Sequence, residues 1–164
     1  MTFGENGYTL AADEGEGLWF LNTLMTVKAG TEQTRGAFTL IEQLCPPGFA
    51  APPHIHWAEE EGFYVLEGEL TVTCGSQVWT VVPGGFVLLP RGIPHAFSVS
   101  PVSPARLLQI TSPAQFERFA AEVGQPAQQR ALPPPAPPDV AKLLSVMGKY
   151  NYEMAGPPSE HGGR

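Results

Sequence analysis

Four of the 164 residues are histidine: His54, His56, His95 and His161. Two of them stand as His54-Ile55-His56. On a β-strand, positions i and i+2 point to the same side, so both imidazoles reach one point in space. Glu61 follows five residues later and can enter from the next strand across a short turn. That placement leaves Glu59 and Glu60 in the turn, exposed and solvated. His95 comes after Pro90-Arg91-Gly92-Ile93-Pro94, where two prolines and a glycine set a turn that presents the ring. Three neutral imidazoles and one carboxylate form a borderline-hard donor set. It suits one divalent transition metal ion (Fe, Ni, Mn, Co or Zn) and fits calcium poorly. Four protein ligands on an ion that prefers five or six leave positions for water, a substrate or O₂. His-x-His alone is a weak signal; the joint spacing of His54, His56, Glu61 and His95 carries the assignment. His161 lies in GPPSEHGGR, which reads as a frayed, solvated tail.

The elements that must position these ligands are short strands. From about Leu18 to Ile110, turn signals recur roughly every ten residues, the pattern of an all-β sandwich or barrel. Leu18 to Val27 reads as one long apolar strand, Gly30 to Gly36 as a turn-rich patch, and Ala37 to Leu44 as its partner strand. Further strands are expected at Phe63–Leu66, Glu69–Cys74, Gln77–Val82, Phe86–Leu89, Ala96–Val99 and Ala105–Ile110. Phe63, Val65, Leu70, Val72, Trp79 and Phe86 alternate with polar residues and are candidates to line or seal a central cavity.

After Ile110 the period changes. Ser112-Pro113 offers an N-cap with proline at the first helical position, and Phe116, Phe119, Ala120 and Val123 follow helical spacing up to Gly124. Asp139 caps a second short helix striped by Val140, Leu143, Leu144 and Met147 and stopped by Gly148. Both stripes are expected to pack on the barrel or on a partner subunit. ALPPPAPP between them favours an extended polyproline spacer or strap. Residues 1–111 therefore read as a β-barrel. Residues 112–164 read as an extension of the same domain, with two short helices, a Pro-rich spacer and a flexible tail.

Composition narrows the function classes. Hydrophobic residues make up 43% of the chain, and glycine and proline number 18 each, which suits short strands and tight turns. The formal net charge of −7 comes with no Lys/Arg cluster, so a nucleic-acid partner is not expected. No apolar run approaches the roughly 20 residues of a membrane helix, and the N-terminus lacks the pattern of a signal peptide. Cys45 and Cys74 fit no metal or redox spacing and read as small buried thiols of a reduced, cytoplasmic protein.

The ligand pattern resembles the two motifs of the cupin superfamily. The first is carried by Gly48, His54, His56, Glu61 and Gly68, and the second by Gly84, Pro90, Gly92 and His95. Fifteen residues separate them, as in small bacterial single-domain cupins; Val99 departs from the Asn that ends the second motif. A wider likeness covers GLWFLNTLMTVKAGTEQTRGAFTLIEQLCPPGFAAPPHIH, EGFYVLEGEL and a late stretch with Tyr150 or Tyr152, Glu153, Gly156 and Pro157. It is to quercetinase-like cupins. The resemblance implies a double-stranded β-helix (jelly-roll) barrel with short C-terminal helices and the metal inside its mouth. It further implies a homodimer and a dioxygenase acting on a small phenolic or enolisable, flavonol-like substrate together with O₂. In that mechanism Glu61 is both ligand and general base. Isomerases, lyases and polyketide-type cyclases that use the metal as a Lewis acid share the pattern, as do non-catalytic metal- or ligand-binding cupins.

Overall fold

The computed structural model describes residues 6–156. Alternation of apolar and polar side chains builds its central strands. β3 (Thr39–Cys45) and β10 (Ala105–Ser112) each bury every second residue, which puts Ile41, Ala105 and Leu107 inward. They lie side by side, antiparallel, in a seven-stranded sheet. β1 (Glu16–Phe20) and β2 (Thr23–Ala29) extend that sheet beyond β3, while β5 (Glu60–Glu67) and β8 (Phe86–Leu89) extend it beyond β10. Facing it is a five-stranded sheet of β4 (Ala50–His56), β9 (His95–Val99), β6 (Leu70–Cys74) and β7 (Gln77–Val81), with β12 (Tyr152–Met154) added beside β4. Every pairing is antiparallel. The result is the expected jelly roll with short helices.

The expected long strand Leu18–Val27 is a hairpin instead. Leu21 and Asn22 adopt φ of 48° and 67° and turn the chain between β1 and β2. Neither is glycine, so the turn carries no strong sequence signal. A single helical turn, α1 (Thr31–Thr34), occupies the turn-rich patch.

The first C-terminal helix also begins later than expected. Ser112 is the last residue of β10, its bond to Pro113 is cis, and α2 (Phe116–Val123) starts after Gln115. The second helix, α3 (Val140–Met147), is capped as expected, with Lys142 N–H donating to Asp139. Its outward Val140 and Leu144 are more than half exposed, so that stripe is only partly buried. Between the helices, Gln125–Pro126 pairs with β1 as β11, and the proline-rich stretch straps the outside of the β1–β2 hairpin. Trp19 Nε1 donates to Ala131 O, and Asn22 exchanges two hydrogen bonds with Ala136.

Two hydrophobic clusters divide the interior. One, around Phe63, Val65, Leu70, Val72, Leu89 and Leu107, seals one end of the barrel. The other, around Leu18, Phe20, Met25, Phe116, Phe119 and Met147, sits where α2 and α3 fold over the opposite end. Trp79 and Phe86 do not join either core: the pleat turns Phe86 outward, 58% exposed, whereas Trp79 shares the face of Val72 and Val81 but stays 39% exposed on the edge strand β7. Cys45 and Cys74 are free and buried, Cys45 in the sealed end and Cys74 opposite His95 in the β6–β9 register. His161 and the rest of the expected tail from residue 157 lie outside the described residues.

Candidate metal centre

His54 and His56 sit at the end of β4, where Pro52 and Pro53 interrupt the pairing with β9. Prolines donate no ladder hydrogen bond, so the strand bulges there and its two histidines converge on β9. His95 opens β9 directly opposite His54 in the register. Gly92 makes the preceding turn possible: at φ of 77° its N–H donates to His56 O at 2.8 Å, tying the two motifs together. Glu61 enters from β5 in the other sheet. The glycine that ends the first motif closes the β5–β6 turn: Gly68 has φ of 80°, and a Cβ there would lie 2.4 Å from Pro104 O.

These four side chains meet. Each offers one ligand atom, and the four atoms lie within 4.8 Å of one another. Two ligands opposite one another at metal distances of about 2.1 Å would be about 4.2 Å apart, so the cluster is close to coordination geometry. The rings are preset for it. His54 Nδ1 is 2.7 Å from Pro52 O and His95 Nδ1 is 3.0 Å from Ile93 O. His56 Nδ1 is 3.1 Å from Glu59 Oε1. Backbone carbonyls thus engage Nδ1 of His54 and of His95, which turns their Nε2 atoms toward the centre. Glu61 is held from both sides. Gln109 Nε2 donates to its Oε1, and its Oε2 lies 3.0 Å from His95 Nε2. The donor set therefore fits one divalent transition metal ion.

The electrostatics agree with a cation site. Burial, and then the adjoining His95 ring, push His54 down to about 4, so it stays neutral. Burial also disfavours charge on His56, but Glu61 and Glu59 outweigh it and raise the pKa of that ring. Burial pulls the Glu61 carboxyl upward; the three imidazoles reverse this and hold it at about 2.

Glu59 and Glu60 depart from expectation. Glu60 belongs to β5 and lies on the surface, paired with Arg91 at 2.6 Å. Glu59 is fully buried, not solvated. Its Oε1 faces His56 and accepts the Tyr152 hydroxyl at 2.5 Å. Burial and this carboxylate raise the Tyr152 phenol, so it keeps its proton. Glu59 and Glu60 read as a solvated turn in sequence, and no local pattern marks Glu59 as the edge of a site.

Three further residues were missed. Gln43 and Gln109 occupy inward positions of β3 and β10, in phase with buried aliphatics. A polar residue in that phase is a readable signal for a site layer. Tyr152 reaches the centre because β12 pairs with β4 in a register that sets Tyr152 opposite His56, with ring centroids 4.4 Å apart. Tyr150, its alternative in the late motif, instead donates to Glu122 on the surface of α2. Beside the cluster lies an apolar cavity of about 80 Å³, walled by Phe20, Met25, Phe49, Phe97, Phe116 and Phe119.

Residues 41–111 match the family model described as a cupin domain. Over 134 residues the chain is 28% identical to a quercetin 2,3-dioxygenase of Bacillus subtilis. That stretch is 82% of this chain, which spans 40% of the relative's length. A predicted oxalate decarboxylase from Thermotoga maritima has a TM-score of 0.59 at 16% identity, covering 65% of this chain and 99% of that one. The polyketide cyclase RemF from Streptomyces resistomycificus has a TM-score of 0.55 at 25% identity, covering 64% and 78%. The fold is that of a cupin jelly roll, and the domain match supports assignment to the cupin superfamily.

Proposed function

We propose that this cupin is a metal-dependent enzyme acting on a small phenolic or enolisable substrate, with dioxygenation as the leading reaction. The observation that carries this reading is the placement of four convergent metal ligands at the wall of an apolar, aromatic-lined cavity. Apolar, aromatic walls favour a weakly polar ring over water. At about 80 Å³ the cavity is smaller than the roughly 300 Å³ or more of most ligand pockets, so a substrate larger than one small ring would have to widen it. A divalent ion held by His54, His56, Glu61 and His95 would acidify a coordinated hydroxyl, polarise a carbonyl and, if redox-active, support chemistry with O₂.

The chain's own groups have distinct tasks. Glu61 is ionised across the physiological range and stands ready to accept a proton, its Oε1 held by Gln109 and its Oε2 turned toward His95. A carboxylate near 2 is a weak base, so it suits an acidic enol or phenol better than an aliphatic alcohol. Gln109 fixes its orientation, and the phenylalanine walls position the ring of the substrate. The quercetin dioxygenase likeness supports the oxidative reading, and the 25% identical polyketide cyclase supports a Lewis-acid alternative at the same site. Oxygen uptake by metal-reconstituted protein on a panel of monocyclic phenols, flavonols and β-dicarbonyls tests the proposal. Uptake stoichiometric with substrate loss is expected; substrate turnover without uptake would replace dioxygenation by the Lewis-acid reaction.

Homodimerisation is also our proposal, through the outer face of the seven-stranded sheet. The Leu18–Val27 segment and the helices pack on each other within the chain. Exposed apolar side chains gather instead on the outer face of β10, β5 and β8, namely Ile110, Tyr64, Leu66, Phe86 and Leu88. Among the described residues β8 has no second neighbour, so a two-fold axis would pair this edge antiparallel with its own copy. Light scattering should return twice 17.6 kDa, and Phe86→Asp should return 17.6 kDa. A wild-type monomer at micromolar concentration would contradict the dimer.

A further inference from the structure

The three histidines of the centre are not equivalent. His54 and His95 lean on neutral backbone carbonyls, Pro52 O and Ile93 O, whereas His56 faces a carboxylate. That carboxylate, Glu59, is fully buried and, among the described residues, pairs with no lysine or arginine. Among the described residues its Oε2 has no hydrogen-bond partner, and its Oε1 serves both contacts: Tyr152 donates to it at 2.5 Å, and His56 Nδ1 lies 3.1 Å away. The His56 contact is within hydrogen-bonding reach but bent, since the ring nitrogen makes no aligned bond. A carboxylate buried on these terms is costly to the fold, which is why most are solvated or ion-paired. Its position explains its retention. A carboxylate behind a ligating histidine fixes the ring's tautomer and strengthens the nitrogen that faces the metal.

We propose that Glu59 and Tyr152 are positioning residues for the metal centre, a buried Tyr152–Glu59–His56 chain that makes His56 its strongest nitrogen donor. Glu59 holds the proton on Nδ1 of His56 and leaves Nε2 to the ion. Tyr152 holds Glu59, and its ring lies against the His56 ring at 4.4 Å. Because Tyr152 belongs to β12, opposite His56 in register, the C-terminal extension sets the strength of a centre to which it gives no ligand. The inference rests on the metal-site reading and deepens it.

Cobalt(II) alone serves as the probe, with affinity measured by competition against a chromophoric chelator and the ligand field read from the visible spectrum of the loaded protein. Wild-type protein should bind one equivalent. Glu59→Gln should weaken binding by about 10- to 100-fold and shift the visible bands. Tyr152→Phe should act in the same direction and less, and Glu59→Asp should recover part of the loss. Glu60→Gln and Tyr150→Phe should bind as wild type. If Glu59→Gln does not fold, Tyr152→Phe decides by the same two readings. Wild-type affinity and an unshifted spectrum in both variants, with only the melting temperature of the metal-free protein changed, would overturn the inference while leaving the site intact. Failure of wild-type protein to bind cobalt would instead remove the metal-site reading itself.

Discussion

The two ends of the barrel are made by the same strands and differ in what those strands turn inward. Along β10, Ala105 and Leu107 pack in the sealed end, and then Gln109 and Thr111 face the mouth. Along β5, Val65 and Phe63 belong to the sealed end, and the next inward residue is Glu61. The period of two never breaks; only the chemistry changes. The sealed end consists of aliphatic and aromatic side chains and the Cys45 thiol. At the mouth, carboxylates, imidazoles and amides turn inward; Gln109 donates to Glu61 and Gln43 to Thr23. Glu59 Oε2, Gln109 Oε1 and Thr111 Oγ1 have no partner among the described residues, and α2 and α3 close over them. One end thus supplies stability with little chemistry, and the other supplies chemistry at some cost in buried polar groups.

The largest contrast should come from Glu61→Gln. Loss of a positioned proton acceptor typically costs about 10²- to 10⁴-fold in rate. Three imidazoles remain, so metal content should fall much less than turnover. Equal loss of metal and activity would reduce Glu61 to a ligand.

Leu70→Ala is the mirror experiment at the sealed end. Leu70 is fully buried between Val81 and Val99 across its neighbouring strands, and such truncations cost about 2–5 kcal/mol. Urea melts should show that loss while the folded protein keeps its full metal content. A fall in metal content at unchanged stability would mean that the two ends are not separable.

The sealed end and the ligands were legible for the same reason. Strand periodicity and turn glycines place inward residues, and the joint spacing of His54, His56, Glu61 and His95 admits few other readings. What escaped lies where type and environment part company. Glu59 looks like a surface charge because its partners, His56 and Tyr152, come together only through the β4–β12 pairing. Trp79 and Phe86 look like core because residue type does not reveal which face of an edge strand is covered. The Leu21–Asn22 turn hides in an apolar run because its left-handed residues are not glycine.

The smallest expected effect is a pH dependence confined to the mouth. His54 titrates near 4 in the folded metal-free chain and near 6.5 when unfolded. Between these values the unfolded state binds more protons, so stability from His54 is complete above pH 6.5 and lost as pH falls toward 4. His56, shifted upward, works in the opposite sense at higher pH. Urea melts of metal-free protein at pH 7.5, 6 and 5 should therefore show wild type losing stability faster than His54→Gln below pH 6.5. Parallel curves would contradict the burial of a neutral His54.

The central claim is that His54, His56 and His95, with Glu61, hold one metal ion at the mouth. Elemental analysis after purification without added metal and reconstitution with each candidate divalent ion tests it directly. The account predicts about one equivalent per chain in wild-type protein and a strong reduction in each of His54→Ala, His56→Ala and His95→Ala. Near-stoichiometric metal in all three variants would contradict it.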